Sequence, residues 1–147
     1  MPDLGVIHLR RKNLLRQLVS FEVAKATNVY RSNSPKTPRV SHDEVALEIG
    51  RKHCETFMRR TTDAARAACA RLSNCEHLDL TYEEMTESPE ATEATMRRTL
   101  DFLGLRHIAL QSQLRKQVNR PVRDLVRNYD ELASAFAKTE WADCFDE

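Results

Sequence analysis

The chain has 147 residues, the length of one domain on a scale of about 100–200 residues each. Its 23 Lys and Arg against 22 Asp and Glu leave a net charge of +1, which argues against a general nucleic-acid binder. Hydrophobic residues at 41% and charged residues at 31% make a globular composition, and 3 Gly with 5 Pro are too few for a many-stranded sandwich or barrel.

Abundant Ala, Leu, Arg and Glu point to a mostly helical chain. No apolar run approaches the ~20 residues of a membrane helix, and no membrane segment is expected. The opening Met-Pro-Asp-Leu-Gly lacks the charged-then-apolar pattern of a signal peptide. The cysteines are Cys54, Cys69, Cys75 and Cys144. None forms a C-x-x-C pair and no histidine spacing completes a zinc site, so the expectation is reduced, mostly buried thiols and no metal. Reduced thiols fit a cytoplasmic setting if Met1 is the true start.

In chain order, Val6-Ile7-His8-Leu9 reads as a buried strand. Arg10-Arg11-Lys12 makes a basic turn, and Asn13 is a good helix N-cap. Leu14, Leu15, Leu18, Val19, Glu22, Val23 and Ala26 then fall mostly on one helical face. Residues 31–40, with Pro35 and Pro38, read as a polar loop. The run Ser41-His42-Asp43-Glu44 fits a capping box and predicts a long helix from Ser41 to about Leu72, with Ile49, His53, Phe57, Ala64, Ala68 and Leu72 on its core stripe.

Leu78 to Tyr82 reads as a second strand, and Thr81-x-x-Glu84 as a capping box. Ser88-Pro89-Glu90 starts a helix that stops at Gly104. Residues 105–120 are basic and ambiguous, and Pro121 to Ala137 predicts a last helix, with Trp141 and Phe145 stapling the final segment to the core. Two strands separated by helices imply a parallel pair with a crossover. His8 reads as a packed strand residue and His53 as core.

The segment with the most chemistry in it is residues 6–20. A strand feeding a basic turn and then a helix is where open α/β sheets bind anions. Arg10, Arg11 and Lys12 add formal positive charge there, and Ser20 lies two helical turns on. A solvated basic turn with a serine bonded to its own helix fits the same spacing equally well.

Val6-Ile7-His8-Leu9-Arg10-Arg11-Lys12-Asn13, with Ser20 following, resembles the 3′-phosphate-binding segment of sulfotransferases that use 3′-phosphoadenosine-5′-phosphosulfate. In that family a basic residue at the strand end and a helix serine eight positions later hold the 3′-phosphate. Lys12 stands eight before Ser20, where the family usually has Arg; the charge is kept and the bidentate fork is not. Arg10 and Arg11 are the alternatives for that fork. Leu80-Thr81-Tyr82-Glu83-Glu84-Met85 is similar to the family's strand-ending tyrosine and acidic pair, which implies Tyr82 beside the adenine and Glu83 and Glu84 as structural caps. Leu100-Asp101-Phe102-Leu103-Gly104-Leu105 is similar to its "FLGL" segment, and residues 121–132 look like the last helix of carbohydrate-type members. Lys116 and Arg120 fall where the family has a late basic loop against the 3′-phosphate; a solvated loop is the other reading.

The resemblance implies an α/β, helix-rich fold with a short parallel sheet, part of a P-loop-like sulfotransferase fold, over one domain, 1–147, that is N-terminally incomplete. It implies transfer of a sulfuryl group from the nucleotide donor to a hydroxyl or amine, the acceptor being a carbohydrate. The family's phosphosulfate loop, with its lysine, and its general base precede the segment matched here, and residues 1–5 supply neither, so no catalytic residue is assigned. A non-catalytic domain that binds a nucleotide or a protein partner is the rival, and a helical interaction protein without a ligand is a third reading. An uncovered edge on the Val6–Leu9 strand predicts self-association, a homodimer in the simplest case.

Overall fold

The computed structural model describes residues 5–30, 45–108 and 120–146. The basic turn is followed by α1 (Leu14–Thr27), after strand β1 (Val6–Arg10). Then come α2 (Arg51–Leu72), β2 (His77–Thr81), α3 (Tyr82–Thr86), α4 (Pro89–Phe102), α5 (Val122–Leu125), α6 (Tyr129–Phe136) and a closing 3-10 turn at Ala142–Phe145. The expected α/β, helix-rich class with a short parallel sheet is what the chain adopts. No helix among the described residues is long and apolar enough to cross a membrane. The chain divides into two compact units, Met1–Lys12 with Thr61–Gln111, and Asn13–Arg60 with Ser112–Glu147.

The first unit holds the sheet. β1 and β2 run parallel, with Val6 opposite His77, His8 opposite Asp79 and Arg10 opposite Thr81. Because side chains alternate along a strand, Val6, His8 and Arg10 share a face with His77, Asp79 and Thr81. Tight local caps fix the two helices after β2. Thr81 and Glu84 form a reciprocal capping box at the start of α3. Ser88 accepts the Ala91 N–H at 3.1 Å at the start of α4, with Pro89 in the first helical position, where a missing N–H costs nothing. α4 ends at Gly104, whose φ of +64° lies in the left-handed region that favours glycine.

The second unit holds the larger apolar core. Asn13 caps α1 by accepting the Arg16 N–H at 2.8 Å, and its amide donates to the Cys144 carbonyl at 3.2 Å. Leu14, Leu15, Leu18, Val19, Val23 and Ala24 are buried on that helix. All but Ala24 meet Cys54, Met58, Val122, Leu125, Leu132, Phe136 and Phe145 in one cluster. Trp141 and Phe145 are buried as expected, with the Phe136 ring 6.0 Å from Trp141 and 5.5 Å from Phe145. Tyr129 donates its hydroxyl to the Phe145 carbonyl, which ties α6 to the closing turn.

Several expectations need correction. The long helix begins at Arg51, and residues 45–50 are not helical; residues 41–44 and the loop 31–40 lie outside the described residues. Leu47 instead pairs with Val126 as a parallel bridge. Its N–H donates to the Leu125 carbonyl at 2.7 Å, and its carbonyl accepts from Arg127 at 2.8 Å. Asn128 clamps the next step: its side-chain oxygen accepts the Ile49 N–H at 3.1 Å and its amide donates to the Ile49 carbonyl at 2.9 Å. Those hydrogen bonds satisfy the backbone of Leu47 and Ile49 without a helix. The same pairing divides the expected Pro121–Ala137 helix into α5 and α6, because Val126 is used as a strand residue.

His53 is not core. Its side chain is 57% exposed and its Nε2 lies 3.1 Å from Glu22, while Cys54 and Met58 carry the buried stripe one position on. Two thiols are buried, Cys54 and Cys144; Cys69 is half-buried and Cys75 exposed. Burial, reinforced by neighbouring Cys144, pushes the Cys54 thiol up to about 11, so it stays protonated near neutral pH.

Candidate functional site

The basic turn after β1 sits beside the start of α3, at the C-terminal ends of both parallel strands. That edge is where open parallel sheets carry their ligands. Arg10 is exposed and stands opposite Thr81 in the ladder. Arg11 is folded over Tyr82, its guanidinium carbon 4.4 Å from the ring centroid. Its Nε lies 3.8 Å from the Glu83 carboxylate, and its side chain is 19% exposed. A guanidinium at that distance over a ring face gains a cation–π attraction of roughly 0.5–1 kcal/mol at an open site. The Lys12 N–H donates to the other Glu83 oxygen at 3.0 Å, and Lys12 itself is exposed.

Glu83 therefore acts differently from Glu84. The expectation that both are caps holds for Glu84 alone. Its carboxylate accepts the Thr81 N–H at 2.9 Å and the Thr81 hydroxyl at 2.9 Å, and its own N–H donates to the Thr81 oxygen at 3.3 Å. Glu83 instead ties the turn after β1 to the turn after β2. Arg11, Lys12, Tyr82 and Glu83 thus form one joined cluster within the first unit.

The Glu84 box has a pH consequence. The Thr81 amide, and then the Thr81 hydroxyl, hold the Glu84 carboxyl below its ordinary 4.5. A carboxyl with a lowered folded-state pKa stabilises the fold above the unfolded pKa, and that stability is lost as pH falls through the folded value. Glu84→Gln keeps an acceptor but removes the titration. The denaturation midpoints of wild type and Glu84→Gln should differ near neutral pH and converge as the pH drops below about 4. Curves that stay parallel down to acid pH would contradict the cap as a titrating group.

Ser20 and Arg120 belong to the second unit. Ser20 is half-buried on α1. The Arg120 guanidinium donates to the Asp124 carbonyl at 3.2 Å, and its own carbonyl accepts from Arg16 at 3.5 Å. Arg16, in the first turn of α1, is a cation that sequence spacing did not single out. Lys116 lies outside the described residues. The structure thus joins Arg11 to Tyr82, and the Lys12 backbone to Glu83, within one unit; Ser20 is a residue of the other. His8, expected to be a packed strand residue, is half-buried and lies 2.8 Å from Asp79 through Nδ1.

Comparison with known proteins gives this arrangement a context. The model of the sulfotransferase family matches residues 1–109. Two proteins named "Nodulation protein H", one from Rhizobium meliloti and one from Rhizobium meliloti strain 1021, are each 31% identical over 151 residues. The match covers 99% of this chain and 57% of each relative, so the chain spans a little over half the length of the relatives it matches. No solved structure matches.

Proposed function

The chain belongs to the sulfotransferase family, and on that premise we propose that it holds the 3′-phosphate and adenine side of 3′-phosphoadenosine-5′-phosphosulfate. Lys12 takes the 3′-phosphate, and the family resemblance, eight positions on, adds Ser20 as its second ligand. Tyr82 lies beside the adenine, with Arg11 fixing its ring. Arg10 adds positive potential at the turn, and the family resemblance alone makes Lys116 and Arg120 further candidates for the 3′-phosphate.

The observation that carries this reading is the joined cluster of Arg11, Lys12, Tyr82 and Glu83 at the C-terminal ends of the two strands. Arg11 lies against Tyr82 and Glu83, and Lys12 stands at the eight-residue spacing before Ser20 that the family resemblance gives, which favours Lys12 over Arg11 as the phosphate ligand. Lys12 is held by its backbone and offers its ammonium as a point charge suited to phosphate. The next residue in the chain, Asn13, caps α1, and a helix N-terminus directly after the turn favours an anion there.

The proposed reaction is sulfuryl transfer. A base takes the proton of an acceptor hydroxyl or amine, the acceptor atom bonds to sulfur, and the bond from sulfur to the bridging phosphate oxygen breaks. Adenosine 3′,5′-bisphosphate leaves with that electron pair. The residues named above act on the nucleotide: they bind it and orient it, and none of them is assigned a proton-transfer step. Similarity of residues 121–132 to carbohydrate-type members makes a sugar hydroxyl or amine the proposed acceptor group.

Calorimetric titration of the chain with adenosine 3′,5′-bisphosphate tests the reading. Saturable binding with one site per chain is expected. No heat and no protection from thermal unfolding at millimolar nucleotide would overturn it.

A further inference from the structure

Three side chains with metal-binding atoms converge in the first unit with a fourth beside one of them, and neither the nucleotide reading nor the fold accounts for all of them. His8 on β1, Asp79 on β2 and Cys69 on α2 each bring one donor atom within 4.8 Å of the other two. His8 and Asp79 are register partners on the same face of the sheet, with His8 Nδ1 2.8 Å from Asp79 Oδ1. His77, two residues before Asp79 and on that same face, places Nε2 3.5 Å from Asp79 Oδ2.

The tautomer of His77 is set by its other nitrogen. Its Nδ1 lies 2.9 Å from the Cys75 carbonyl. A carbonyl only accepts, so Nδ1 carries the proton, and in the neutral ring the Nε2 lone pair faces the Asp79 carboxylate. A proton on Nε2 makes this contact an ion pair, and a metal cation can take that proton's place. A histidine whose far N–H is held by a backbone carbonyl is also the arrangement that orients metal-bound imidazoles.

We propose that His8, Cys69, Asp79 and His77 bind one divalent transition cation of the zinc class. The donor set is two imidazoles, one thiolate and one carboxylate, all of which zinc accepts, at about 2.0–2.3 Å. Soft thiolate with imidazole disfavours magnesium and calcium, which take oxygen shells. Bound thiolate and carboxylate carry two negative charges, which a divalent cation balances. Ligand atoms on a four-coordinate zinc stand roughly 3.3–3.8 Å apart by those bond lengths; the donor atoms of His8, Cys69 and Asp79 already lie within 4.8 Å of one another, and His77 joins them from beside Asp79.

The site joins the late part of α2 to both strands. A two-stranded sheet is marginal by itself, and a cation held by both strands and a helix adds folding stability to such an element. The separations in sequence, Cys69 to Asp79 across ten positions and His8 far upstream, match no zinc motif. The parallel register and the turn of α2 bring the residues together.

Cobalt(II) titration of the metal-free 147-residue chain is the test. One equivalent should give visible bands of a tetrahedral site and a thiolate-to-cobalt charge-transfer band. Cys69→Ser should abolish the charge-transfer band, and His8→Ala should weaken binding at least about tenfold, the least that losing support for a metal costs. Cys75→Ser should change neither. As a check free of variant misfolding, one equivalent of zinc should protect Cys69 of the wild-type chain from alkylation and leave Cys75 reactive. A wild type without a charge-transfer band, or a band that follows Cys75 instead of Cys69, overturns the site; so does equal alkylation of Cys69 with and without zinc.

Discussion

Asn128→Ala should lower the unfolding free energy by about 2–4 kcal/mol, because it strands two backbone groups at once. The Asn128 amide holds both the N–H and the carbonyl of Ile49, a residue only 3% exposed. A buried donor or acceptor left without a partner costs about 1–3 kcal/mol. Thermal unfolding should shift by roughly 2–4 °C per kcal/mol in a chain of this size. Asn128→Asp makes the sharper comparison. It keeps the acceptor for the Ile49 N–H and sets a second acceptor against the Ile49 carbonyl, so it should be no better than alanine. A variant as stable as wild type would mean that residues 45–50 are not held by α6's start in solution. Leu132→Ser, in the same cluster and fully buried, gives the scale of a core lesion for comparison.

That clamp also explains where sequence reading stopped. Asn13, Thr81 with Glu84, Ser88 with Pro89, and Gly104 were all legible, because a cap is decided by residues three or four positions apart. The parallel pair was legible from two β-branched or apolar runs with helices between them. Residues 45–50 were not, because their partners are Leu125 to Asn128, about eighty positions away, and no local pattern announces an isolated bridge. Extending the helix back over Ile49 then shifted the stripe by one position, which put His53 on the core face in place of Cys54 and Met58.

The candidate site divides in the same way. The basic turn and Tyr82 were visible as residue types at strand ends. What Glu83 does was not, since one acidic residue after a strand looks like its neighbour until the other strand is placed beside it. Glu84 answers to Thr81 three residues back; Glu83 answers to Arg11 and Lys12 from the turn after β1. Cys69, His8 and Asp79 show the limit most plainly, because spacing rules for metals look for neighbours along the chain and these three are neighbours only in the folded unit.

Lys12→Ala should collapse the preference for adenosine 3′,5′-bisphosphate over adenosine 5′-phosphate to near unity. The two nucleotides differ only in the 3′-phosphate, so their affinity ratio isolates the group Lys12 is proposed to hold. A charge-assisted hydrogen bond contributes about 1.5–3 kcal/mol, and tenfold in affinity is 1.4 kcal/mol, so the wild-type ratio should be at least about tenfold. Lys12→Arg should keep or raise it, since a fork suits a phosphate better than a point charge. Arg11→Ala is the control that separates phosphate binding from ring placement. Arg11 sits on Tyr82 and beside Glu83, so its loss should weaken both nucleotides by a similar factor and leave their ratio intact. Ser20→Ala should behave like Lys12→Ala with a smaller effect, the hydroxyl being a neutral donor. Parallel titrations of both nucleotides against all four variants read the ratios directly. If Lys12→Ala weakens both nucleotides equally while Arg11→Ala changes the ratio, the roles are reversed, and Arg11 is the residue that meets the 3′-phosphate.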